Sequence, residues 1–268
     1  MYLKSFIVLI TSVIFLNITQ AKIIIQRDAE IDSMIKNVSK DSLRSYVHQL
    51  VIFNTRSTLS SSTDKTKGIG AARNWVLNKF KIYAQQSKGR MSAYIDTTTL
   101  QADSKRLNRN ILLGNVVAVL KGSDSTDTRI VLMRAPIASR RTNVMDSTGF
   151  APGANDDASG VAAVIEAARI LSKYNFPATI IFVAVSGEDQ GLFGSEFMSD
   201  KAAKSYLYIE AVLNNDIIGS NNSSGTNIIN NTQLRVFSEP FSVVDTGKAL
   251  QRIRSLGLEN EVKSRQLA

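Results

Sequence analysis

Residues 179–185 read Thr-Ile-Ile-Phe-Val-Ala-Val, and after the first residue the run is wholly apolar. Such a run is the pattern of an inner strand covered on both faces. Strand-like and helix-like segments alternate around it. Ala158 to Lys173 reads as a helix with Val161, Val164, Ile165, Ala168 and Leu171 as its buried stripe. This alternation predicts an α/β fold with a largely parallel sheet.

Other elements follow from the same periodicities. Leu43, Val47, Leu50 and Val51 recur at helical spacing within Ser39 to Phe53, after polar starters at Ser39 and Asp41. A second helix fits Ala71 to Ala84, with Trp75, Val76, Phe80 and Tyr83 on one side. Strands are expected at Met91 to Thr98, Val116 to Leu120, Ile130 to Met133 and Ile209 to Leu213. A shorter helix is expected after Gly194. The Asn/Ser-rich stretch Asn221 to Thr232 reads as a loop, followed by a strand (Leu234 to Phe237) and a helix (Val243 to Leu256).

The N-terminus reads as a secretory signal over residues 1–21. Lys4 supplies a positive start, Phe6 to Phe15 is apolar except for Thr11 and Ser12, and Thr19 and Ala21 suit a cut after Ala21. The apolar run is short for a membrane span. The expectation is an exported protein, secreted or periplasmic, with no stable membrane insertion after cleavage and one domain over residues 22–268.

The 268 residues contain no cysteine, which excludes disulfides, thiolate metal sites and a cysteine nucleophile. The net charge of +9 comes from scattered basic residues, so no nucleic-acid partner is expected. The single histidine, His48, has no accompanying nucleophile-elbow motif, which argues against a serine triad. No phosphate-binding Gly-x-x-x-x-Gly-Lys loop is present.

Three acidic loops fall where α/β sheets place their ligands, beyond the carboxyl ends of the strands. Glu188 and Asp189 follow the strand ending near Val185, and Asp216 follows the strand ending near Leu213. Asp156 lies in Ala151-Pro-Gly-Ala-Asn-Asp-Asp-Ala-Ser-Gly160, a loop that leads into a helix. Taken singly, each has an ordinary reading: Asp156 or Asp157 as a helix cap, Glu188 and Asp189 on a solvated turn, Asp216 bonded to its own loop. Taken together, carboxylates on one rim repel one another unless a cation neutralises them, which points to metal.

Gly153-Ala-Asn-Asp-Asp-Ala-Ser-Gly160 and Gly187-Glu-Asp-Gln-Gly-Leu-Phe-Gly-Ser195 resemble two signatures of one family. It is the co-catalytic zinc exopeptidase family of bacterial secreted leucyl aminopeptidases, with glutamate carboxypeptidase and glutaminyl cyclase relatives. Asn214-Asn-Asp-Ile-Ile-Gly219 looks like the third acidic loop of that family. The resemblance implies a three-layer α/β sandwich with a central, largely parallel mixed sheet. It also implies two zinc ions and hydrolysis of a peptide at its N-terminal amino acid. By the same resemblance Asp156 bridges the zinc ions, Asp189 and Asp216 are terminal zinc ligands, and Glu188 is the general base.

The pattern breaks at the imidazoles. The family places a His-x-Asp element after the strand that precedes the Gly-Ala-Asn-Asp loop. Aligning on Ser139 and Arg140 puts Pro136 at that histidine and Ala138 at that aspartate. The second zinc histidine of the family comes after a further strand and helix, and the sequence ends at Ala268 before that place, so the family domain is expected to be C-terminally incomplete. His48 reads as a structural residue. Oxygen-only donors suit calcium or magnesium better than zinc, so weak or no zinc binding and impaired peptidase activity are expected. Three readings remain open: an enzyme completed by a substitute ligand or partner chain, a non-catalytic peptide-binding protein, and an incomplete product.

Overall fold

The computed structural model describes residues 28–222, 227 and 229–232. The signal segment and the elements expected over Leu234 to Phe237 and Val243 to Leu256 lie outside the described residues. The chain divides into two compact units at Lys36 and Asn37. In the first, helix α1 (Ala29–Lys36) has no buried residue. Asp28 Oδ1 accepts from the Glu30 amide at 2.7 Å and so satisfies one of its free N-terminal donors.

The second unit is built on five strands: β1 (Met91–Leu100), β2 (Ile111–Leu120), β3 (Arg129–Pro136), β4 (Thr179–Val185) and β5 (Tyr208–Asn214). Their order across the sheet is β1-β2-β4-β3-β5. The β1/β2 and β2/β4 pairs are antiparallel, whereas β3 runs parallel to both β4 and β5. The sheet is therefore mixed, with its parallel part confined to β4, β3 and β5. Those three strands end side by side, at Val185, Pro136 and Asn214, and each feeds one of the segments singled out in the sequence.

Helices cover both faces. On one face α2 (Lys40–Ile52), α3 (Gly68–Gln86) and α4 (Ser159–Leu171) enclose the main core, which includes Leu50, Val76, Phe80, Val116, Ala118, Val164, Ile165 and Phe182. On the other, Val117, Leu132, Ile181, Val183 and Val185 pack with Met198 of α6 (Phe193–Lys204). Val116 and Val117 face opposite ways because successive side chains on a strand alternate. The three-layer architecture expected from the resemblance is the one observed. Ser39 caps α2 through its hydroxyl, which accepts from the Ser42 amide at 3.1 Å.

The expected strand at 179–185 has the observed bounds, and the others are longer than their apolar runs. Strand β2 begins five residues early, at Ile111, because it pairs with β1 in unbroken register from Met91↔Leu120 to Leu100↔Ile111. Backbone pairing extends a strand past its apolar residues. Among the described residues, no helix is long and apolar enough to cross a membrane.

Candidate metal centre

The turn that carries Asp156 is an irregular one, Ala154–Ala158, in which Asp156 (φ −115°, ψ 97°) and Asp157 (φ −131°, ψ 50°) leave the helical region. The peptide bond between them is cis. Gly153 opens the turn with φ 49°, and a Cβ there would sit 2.3 Å from the Asp156 carbonyl oxygen and 2.5 Å from Ser139 Cβ. Only glycine fits so close a backbone approach. The result leaves the Asp156 side chain exposed and sends Asp157 into the interior, 0% exposed.

Asp157 then fastens the third loop to the first. Its Oδ1 accepts from the amides of Gly160 (2.9 Å) and Ile217 (3.1 Å). Two further bonds repeat the link: Ile218 N to Ser159 Oγ at 3.1 Å, and Gly219 N to Asn155 Oδ1 at 2.8 Å. Asp216 is held next to Asp156 by these three bonds. Burial pushes the Asp157 carboxyl up to about 8, against the Gly160 hydrogen bond and with help from Asp216. Asp157 read in sequence as a possible cap; its place as a buried tie between loops depends on a partner sixty residues away.

Glu188 and Asp189 open a single helical turn, α5 (Glu188–Gly191), just after β4. Asn115 fixes the start of that turn. It is buried in β2, its Oδ1 accepts from the Ser186 amide at 3.0 Å, and its Nδ2 donates to the Gly194 carbonyl at 2.8 Å. The only sequence signal for Asn115 is a polar residue beside an apolar run, which does not reveal its partners.

Arg56 does the same for the first loop. It is completely buried and contacts no carboxylate by hydrogen bond. Its Nε donates to the Ile137 carbonyl (2.8 Å), its Nη1 to those of Leu50 (2.9 Å) and Pro152 (2.8 Å), and its Nη2 to that of Gly153 (2.9 Å). Burial lowers its pKa to about 10, opposed by the charges of Asp157, Asp156 and Asp189. Arg56 sits in the turn-rich stretch before α3, where nothing in the sequence distinguishes it from a surface arginine.

Three of the four singled-out carboxyls are shifted upward, each in part by other acids of the set. Glu188 is raised by partial burial and by Asp189, Asp216 and Asp156, with Arg134 opposing. Asp189 is raised by burial, with Arg140 opposing and Asp156 adding. Asp216 is raised by desolvation and by Asp156, again with Arg134 opposing.

The donor set does not fit paired zinc. Pro136, the last residue of β3, and Ala138 are buried and offer no side-chain donor where the resembling family has its histidine and aspartate. Asp189 Oδ1 is engaged by Arg140 Nε at 2.9 Å. His48 is exposed on α2. Among the described residues, no group of three or more His, Asp or Glu side chains is arranged to hold a metal ion. Zinc usually closes its sphere with nitrogen or sulfur, and the three expected ligands, Asp156, Asp189 and Asp216, supply neither.

The description of peptidase family M28 matches residues 115–246, which contain all three acidic loops. A probable zinc metalloprotease of Pyricularia oryzae is 41% identical over 241 residues, covering 90% of this chain and 47% of that protein. Through this segment the chain belongs to peptidase family M28. A second relative, a probable zinc metalloprotease of Leptosphaeria maculans, is 37% identical over 90% of this chain and 55% of its own length. The chain thus spans about half the length of the curated relatives it matches. Among solved structures, LapB from Legionella pneumophila superposes with a TM-score of 0.56 at 22% identity, over 74% of this chain and 48% of LapB. Glutaminyl cyclase from Tannerella forsythia gives a TM-score of 0.52 at 18% identity, over 68% and 63%. Both show that the M28 chain has the zinc-exopeptidase fold.

Proposed function

We propose that this chain is an exported exopeptidase-type member of family M28, of aminopeptidase lineage, in which peptide-bond hydrolysis is impaired. The observation that carries the reading is the end of β3. Pro136 and Ala138 stand there without a donor atom, while Arg140 engages Asp189. In the intact arrangement implied by the family, zinc would supply a metal-bound water and polarise the peptide carbonyl. Glu188 remains on the rim as the proton-accepting group that the resemblance assigns, and Asp156, Asp189 and Asp216 remain as the assigned ligands. Carboxylates alone leave the ligand sphere short of imidazole.

The ligand class is a peptide with a free N-terminal amino acid, because an acidic rim attracts an ammonium group. Retention of four carboxylates on that rim favours a second reading, peptide binding without turnover.

The test has two arms. Purified protein is dialysed and its zinc measured by elemental analysis, and hydrolysis of aminoacyl-nitroanilides is followed. The expected result is less than one zinc per chain and turnover at background. Two retained zinc ions with ordinary family-like turnover would overturn the proposal. Peptide binding that survives a chelator would select the second reading. N-terminal sequencing of protein from the culture medium or periplasm checks the cut after Ala21.

A further inference from the structure

The pattern Asn-x-Ser/Thr, with any residue but proline in the middle, is the acceptor of N-linked glycans in exported proteins and belongs on their surface. Beyond residue 27 it occurs four times, at Asn37-Val38-Ser39, Asn221-Asn222-Ser223, Asn222-Ser223-Ser224 and Asn230-Asn231-Thr232. The first and the last lie wholly within the described residues. Asn115, the buried asparagine of β2, is followed by two valines and does not carry the pattern.

Asn37 to Ser39 link α1 to α2. The backbone of the link is held by buried Glu166 and its partner: the Asn37 carbonyl accepts from Arg169 Nη2 at 2.6 Å, and the Ser39 amide donates to Glu166 Oε1 at 2.7 Å. Asn37 itself is exposed, as is Val38 beside it at 50%. Asn230 to Thr232 lie at the far end of the polar loop that follows Gly219. The Asn230 amide donates to the Asn221 carbonyl at 3.0 Å, and Asn222 and Ile229 form an antiparallel bridge. Asn230 Oδ1 accepts from the Thr232 amide (2.7 Å) and from its hydroxyl (2.8 Å). Asn230 is half-buried, Asn231 and Thr232 are exposed, and Ile229 just before them is 70% exposed. Each tripeptide is therefore a surface turn with its backbone anchored and an exposed aliphatic side chain at hand. A bulky, solubilising group fits such a place without displacing packed side chains.

We propose that Asn37 and Asn230 are acceptors of N-linked oligosaccharide, added as the chain is exported. The inference rests on the export part of the proposed function. The donor is a lipid-linked oligosaccharide diphosphate. The bond from its anomeric carbon to the diphosphate oxygen breaks, the bond from that carbon to the asparagine Nδ2 forms, and one amide proton leaves with the lipid diphosphate. Neither asparagine belongs to the acidic loops, so replacing them leaves the residues of the candidate metal centre intact.

The experiment expresses the full chain, with its own N-terminus, in a eukaryotic host that glycosylates what it exports. Protein from the medium is treated with an amidase that releases N-linked glycans and leaves aspartate where each was attached. Gel mobility is expected to increase on treatment, and peptide mapping to find aspartate at positions 37 and 230. Asn37→Gln and Thr232→Ala are each expected to remove one modification. Ser39→Thr and Thr232→Ser keep the hydroxyl and are expected to keep the modification. Ser39→Ala is avoided, because the same hydroxyl caps α2. Exported protein at its unmodified mass would overturn the inference and leave the export reading standing. A mobility shift that persists in full when Asn37→Gln and Thr232→Ala are combined would likewise overturn the assignment to these two sites. Retention of the chain inside the cell would overturn the export reading and this inference with it.

Discussion

Nη2 of Arg56 donates to the carbonyl oxygen of Gly153 at 2.9 Å, with the arginine wholly buried. That bond joins the segment after α2 to the turn that presents Asp156, and the remaining donors of the same guanidinium reach Leu50, Pro152 and Ile137. Four backbone carbonyls from three chain segments therefore depend on one side chain.

Replacing Arg56 by Met is expected to lower stability by about 3–5 kcal/mol, because buried acceptors are left unpaired. Arg56→Lys is expected to recover less than half of the loss. An ammonium has three donors on a point-like head and cannot span a fork of acceptors. Urea unfolding monitored by the fluorescence of Trp75 checks both. A lysine variant as stable as the wild type would show that charge, rather than fork geometry, is what the site needs.

Acid stability is expected to depend on Glu166. It is buried in α4, and its Oε1 accepts from the Ser39 amide (2.7 Å) and Arg169 Nη2 (2.6 Å), while Oε2 accepts from Arg169 Nε (2.8 Å). Burial by itself would raise this carboxyl, but the Arg169 and Ser39 hydrogen bonds outweigh it and hold the group below its ordinary range. The folded state therefore binds this proton less readily than the unfolded state. The stabilisation is complete above the unfolded pKa, near 4.3, and is lost as pH falls through the lower folded value. Glu166→Gln is expected to cost about 1–3 kcal/mol at neutral pH and to flatten the fall of Tm below about pH 5. Parallel Tm profiles for wild type and variant across that range would contradict the assignment.

Gln190 presents the opposite case. It follows Asp189, is 0% exposed, and neither its Nε2 nor its Oε1 has a hydrogen-bond partner. Unpaired buried polar atoms are costly, and an apolar group of similar shape removes the cost. Gln190→Met is expected to raise stability by about 1 kcal/mol, seen as a higher urea midpoint at unchanged slope. A drop of the same size would mean that the amide is held by a partner such as an ordered water.

Much of the architecture was legible because burial leaves a periodic trace. The apolar run at 179–185 marks β4, and the stripe Val161, Val164, Ile165 and Ala168 marks the buried side of α4. The early part of β2 left no such trace, since Ile111 to Asn115 is strand by virtue of its pairing with β1. The acidic loops were legible by their order and by their places after the strands. Asn115 and Arg56 were not, because the value of each lies in partners distant along the chain, and a hydrogen bond between remote segments has no signature in local periodicity.

By itself the sequence determined the α/β alternation, the kinship of the acidic loops with family M28 and the chemistry of the donors, since residue type alone decides whether a position offers oxygen, nitrogen or nothing. Only the tertiary structure decided which charges meet. It placed the Arg140 guanidinium on Asp189 and anchored Arg134 between Asn214 and Ser195. It also turned Asp157 inward to tie two loops together. Coulomb and hydrogen-bond energies depend on distance and burial, and those are set when β3, β4 and β5 align their ends.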